Sequence, residues 1–148
     1  MISCEVVQFK ALSFKDRKKI VDNWNLEKIE KRLKKYMPAD FDIPASIAEY
    51  RKFILLLSAE NHWLYVPNPE LDEVWHTHLL FSRDYKKLCE ALLGEGGFIH
   101  HQPEDGEERK MSDGEKSTMC EVSIKILGDV PFRIGEYITS EGEWCWTC

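Results

Sequence analysis

The sequence predicts a mainly α domain of four or five helices, followed by a flexible loop and a short C-terminal β-hairpin or edge strands. Three observations predict it. Apolar residues recur at helical spacing from Ile20 to Leu92, with cap and stop signals between the runs. After Gly94 that period is lost, and Gln102 to Ser117 carries Met111 as its single apolar residue. From Val122 onward the apolar residues alternate instead. The expected organisation is a helical histidine-motif unit over 1–101, a flexible acidic loop over 102–117, and a β element with a CxxC tail over 118–148, packed on the same domain. A chain of 148 residues, 43% apolar and 31% charged, suits one globular domain rather than a disordered segment.

Each element has a local cause. Ser13 with Asp16 three residues on resembles a capping box, opening a helix that carries Ile20, Val21 and Trp24. Leu26, Ile29, Leu33, Tyr36 and Met37 then recur at helical spacing until Pro38 stops the run. Pro44 sits at the start of a third helix striped by Ile47, Tyr50, Phe53, Ile54 and Leu57. Asn68-Pro69 starts the next one, because Asn accepts from a free amide and proline at the first position has no donor to waste. Ser82 reads as a further cap, so a break is expected near Phe81. Tyr85, Leu88, Cys89 and Leu92 line the last run, which Gly94 ends as an αL cap. Val122, Ile124, Ile126, Phe132 and Ile134 mark two strands around a turn at Gly128-Asp129.

Several function classes find no support. The start MISCEVVQFK lacks the basic and apolar regions of a secretory leader, and no apolar run approaches the roughly 20 residues of a membrane span. A cytoplasmic location, with no membrane partner, is the expectation. There is no GxSxG elbow, and GEGG lacks the Lys and Ser/Thr that complete a phosphate-binding loop. The net charge of −6 is uneven: Lys10 to Met37 holds ten Lys or Arg against four Asp or Glu. No nucleic-acid reading motif accompanies this basic block, whose interleaved signs suit a solvated helix face. A partner, if there is one, is expected to be another protein.

The candidate chemistry lies in the histidines. Four of the five fall between positions 76 and 101. On a helical wheel Leu71, Val74, Trp75 and His78 share one arc, so His78 belongs to the buried stripe, bonded to a carbonyl or to a neighbour such as Tyr85. Asp72 and His76 lie one turn apart on the flank, either an ordinary i,i+4 pair or the beginning of a site. His100 and His101 follow the extended Phe98-Ile99, and in extended backbone one of them faces inward. A metal site of Asp72, His76 and His100 or His101 has ligands suited to zinc or another divalent transition metal. Three protein ligands leave a position open, as in sites that activate water for hydrolysis. The alternative is a non-catalytic interaction module in which WHxH and HH form a structural polar network.

The five cysteines (4, 89, 120, 145 and 148) are odd in number and spread out, which suits reduced thiols or metal ligands better than a disulfide frame. Cys89 falls on an apolar stripe. Cys145 and Cys148 form a terminal CxxC, a thiol pair or weak metal clip with no second CxxC to complete a zinc site.

These residues also carry a family resemblance. Tyr50 and Phe53, then Asp72, Trp75, His76 and His78, then Tyr85, Cys89 and Gly94, and finally His100, His101 and Pro103 follow the pattern Y-x-x-F, D-x-x-W-H-x-H, HH-x-P. In this the chain resembles the glycine-rich domain-containing protein family of plants and its short bacterial relatives, over Ala48 to Pro103. The resemblance implies that the named residues form one local unit; within it Trp75, His78, Tyr85 and Cys89 are expected either to support the metal ligands or to be structural. It implies no reaction, because the family's biochemical function is unknown.

Overall fold

The computed structural model describes residues 12–59, 64–101 and 112–134. Six helices follow one another: α1 Phe14–Asn23, α2 Glu27–Tyr36, α3 Ile43–Ala59, α4 Pro69–Leu80, α5 Ser82–Leu93 and α6 Asp113–Leu127. The centre is α3, which packs against α1, α2, α4 and α6. Having neighbours on several sides, it buries residues beyond a single stripe: Tyr50, Phe53, Ile54, Leu55 and Leu56 are all within the core. The amphipathic α1 and α2 bury only Val21 and only Ile29 with Leu33, respectively, and turn their lysines outward.

Most helix boundaries follow the sequence signals. Ser13 Oγ accepts from the Asp16 amide, and Asn68 Oδ1 accepts from the Leu71 amide with Pro69 as the first residue of α4. The break between α4 and α5 falls at Phe81, but Ser82 is the first residue of α5 and makes no side-chain cap. Gly94 closes α5 with φ +94° and ψ 174°, a positive-φ exit that leaves the chain extended rather than in the αL turn expected. Gly97 is needed just beyond: a Cβ there would lie 2.4 Å from the Leu93 Cβ.

The C-terminal expectation needs correction. Residues 118–127 are the later turns of α6, not the first strand of a hairpin, and 113–117 are its first turn rather than loop. The alternation of Val122, Ile124 and Ile126 misled because Ile124 is 53% exposed. The buried set is Met119, Cys120, Val122 and Ser123, a helical face within reach of α3. Ser112 caps the helix by accepting from the Glu115 amide, and Gly128 ends it in the αL conformation. After it, Phe132 and Ile134 are buried in irregular chain, with Phe132 edge-on to Phe53 at 5.8 Å. There is no strand among the described residues. The acidic stretch 102–111 and the terminal Cys145–Cys148 pair lie outside them.

Candidate metal centre

The site begins with the placement of α4. Asn68 caps the helix with its carbonyl oxygen and donates from Nδ2 to Glu49 Oε2 on α3 (2.6 Å) and to the Arg133 carbonyl (2.8 Å). Arg133 Nε donates to the other Glu49 oxygen at 2.6 Å. These bonds fix the entry of α4 against α3, and Leu71, Val74, Trp75 and His78 then face the core as the wheel requires. Asp72 and His76 are left on the flank.

His101 completes that flank. Its Nε2 lies 2.6 Å from Asp72 Oδ1, while His76 Nε2 lies 3.4 Å from Asp72 Oδ2. The two imidazoles stack at 4.7 Å between centroids and 25° between planes. The Trp75 ring approaches His101 at 4.3 Å, so both Trp75 and His76 pack against it. One ligand atom from each of Asp72, His76 and His101 lies within 4.8 Å of the others. His101 and Asp72 are largely buried, whereas the His76 side chain is 48% exposed, which opens the group to solvent on one side.

The two late histidines separate as extended backbone demands. Ile99 is buried and His101 mostly so, while Phe98 and His100 are exposed and meet edge-on at 4.9 Å. His100, an alternative third ligand on sequence grounds, is not in the cluster.

His78 has a different environment. Its ring is fully buried, with Nδ1 2.5 Å from the Tyr50 hydroxyl and Nε2 2.7 Å from Asp84 Oδ2. An ionised carboxylate can only accept, so Nε2 carries the proton and Nδ1 accepts from Tyr50 O–H. Burial pushes the imidazole below its ordinary value, and the Asp84 carboxylate only partly offsets this. Burial likewise holds Tyr50 protonated, and Trp24 Nε1 donates to the same Asp84 oxygen at 3.0 Å. The neighbour expected for His78, Tyr85, touches only its ring edge, at 5.2 Å. Sequence reasoning passed over Asp84 entirely. Nothing in its spacing from His78 marks it, because a helix break intervenes.

Tyr85 serves the extended segment after α5 instead: it accepts from Trp75 Nε1 at 3.0 Å and donates to the Ile99 carbonyl at 2.5 Å. Cys89 is a free buried thiol, pushed up by burial, and lies 3.5 Å from the Ile99 amide. Cys120 is disulfide-bonded, contrary to the expectation of reduced thiols. A surface groove of about 570 Å³ runs along α2 to the α4–α5 junction, past Lys28, Lys31, Leu80, Arg83 and Asp84, and contains none of the three clustered ligands.

Fold and site together define a small helical domain with a His/Asp group at the junction of α4 and the segment after α5. The chain belongs to the UCP032817-like family, an uncharacterised family matched by residues 16–119, a span that contains the whole His/Asp group. No curated protein and no solved structure matches it.

Proposed function

We propose that this domain binds a divalent transition metal, zinc foremost, through Asp72, His76 and His101. The observation that carries the reading is the convergence of three ligand atoms within 4.8 Å from segments separated by a whole helix. A tetrahedral ion with bonds of 2.0–2.1 Å keeps its ligand atoms about 3.3 Å apart, a small side-chain adjustment from this arrangement. Two imidazoles and a carboxylate are borderline donors of the kind that suit zinc. The exposed side of His76 is where a fourth ligand would enter. A bound water there would ionise near neutral pH, so hydrolysis is the chemistry such a centre would serve. The D-x-x-W-H-x-H and HH-x-P spacing also supports kinship with the glycine-rich domain-containing proteins.

A second reading has its own observation. His101 and Asp72 already satisfy each other at 2.6 Å, as a purely structural polar network would. Metal analysis of the purified protein separates the two. A metal centre predicts close to one equivalent of bound metal and a melting temperature raised by roughly 5–10 °C at a hundredfold excess of zinc over Kd. His76→Ala should abolish both effects while leaving the metal-free melting temperature within about 2 °C, because its ring is half exposed. A metal-free protein whose melting ignores added zinc and chelator would leave the interaction module as the reading.

A further inference from the structure

We infer that Tyr85 is a positioning residue for the cation site, its hydroxyl joining Trp75 to Ile99 and so setting the register that seats His101 on Asp72. The segment Phe98 to His101 belongs to no sheet, so its backbone groups have no ladder to hold them. At Ile99 both are held by helices: the carbonyl by Tyr85 O–H, and the amide against Cys89 Sγ one turn further along α5. The hydroxyl is in turn oriented by the indole N–H of Trp75 on α4, the helix that carries Asp72 and His76. A slip of one residue would put His100 inward and turn His101 to solvent. The same Trp75 ring packs on the His101 imidazole at 4.3 Å, so one side chain both aims the hydroxyl and supports the ligand. Tyr85 acts on the site through its two hydrogen-bond partners, Ile99 and Trp75.

The geometry stands without an ion, but its consequence for metal affinity rests on the metal-binding reading above. Two readouts of Tyr85→Phe, which keeps the ring and deletes the hydroxyl, test it. Cobalt(II) titration followed by visible absorption should show affinity lowered 10–100-fold, the range seen when supporting partners of metal ligands are removed, and an altered band as His101 withdraws. Hydrogen exchange of the metal-free protein should show the amides of 98–101 exchanging faster while those of the α4 interior keep their wild-type rates. Trp75→Phe, losing the indole donor but keeping an aromatic face, should give a smaller change of the same kind. A merely structural role would instead lower the unfolding midpoint and speed exchange everywhere, with cobalt affinity and spectrum unchanged in the folded protein; that result overturns the inference. If the wild-type protein takes up no cobalt, the metal reading fails by itself. The positioning role is then decided by exchange alone, and wild-type rates at 98–101 would refute it.

Discussion

His78 shows how much one buried side chain can hold. It connects Tyr50 on α3 to Asp84 on α5, and through Asp84 to Trp24 at the end of α1. Tyr50→Phe would leave Nδ1 buried without a donor, a cost of about 1–3 kcal/mol, measurable as a lowered urea midpoint at constant m. The pH dependence has a definite sign. Burial depresses the folded-state value of His78 below the ordinary 6.5. The unfolded chain therefore takes up a proton that the folded one refuses, and stability present above pH 6.5 is lost as pH falls toward the folded-state value. The glutamine of His78→Gln does not titrate there, so the stability gap between wild type and variant should narrow below pH 6.5. A gap constant from pH 8 to 5 would count against the neutral, buried imidazole. At this scale the sequence was legible where periodicity governs. Helical spacing separates buried His78 from flanking His76, and extended alternation turns only one of His100 and His101 inward. It was not legible where partners come from other helices, as Asp84 and Tyr50 do for His78.

At the scale of elements, α4 carries the site and Asn68 fixes α4. At an ordinary helix start, Asp caps as well as Asn. Here the Asn68 amide also donates to Glu49 at 2.6 Å, so Asn68→Asp would set two carboxylates against each other in a buried setting. The expected loss is at least about 2 kcal/mol at pH 7, partly recovered at pH 4 as one carboxylate takes a proton. Equal stability of Asn68→Asp and wild type in chemical denaturation at pH 7 would show that the Nδ2 bonds contribute nothing. The helices up to Leu93 were readable because caps, stops and apolar period agreed. In α6 they conflicted. Ser112 with Glu115 is a helix-start pair and Gly128 a helix stop, but the pair sits in a polar stretch that reads as loop, and Val122, Ile124 and Ile126 place β-branched residues at every second position. Tertiary packing on α3 decided for the helix, because Met119, Cys120 and Val122 meet the core only with helical spacing.

For the molecule as a whole, the question is whether the segment after α6 is an appendage or part of the fold. Phe132 is fully buried and packs on Phe53, which itself meets Trp75 edge-on at 5.7 Å. Arg133 reaches Glu49 and Ser46 on α3, and its carbonyl accepts from Asn68 at the start of α4. A line of contact thus runs from the C-terminal segment through α3 to the helix that carries Asp72 and His76. If these contacts make one cooperative unit, Phe132→Ala should cost about 3–5 kcal/mol, as for a large side chain removed from a core. The loss should appear equally by far-UV circular dichroism and by tryptophan fluorescence, since α4 and Trp75 would melt with α6. It should also weaken metal uptake only in the temperature range where the variant unfolds, because Phe132 is linked to α4 through Phe53 and Trp75. Two separated transitions in Phe132→Ala, with the fluorescence change holding its wild-type midpoint, would instead mark residues 113–134 as an independently melting layer on a self-sufficient five-helix domain.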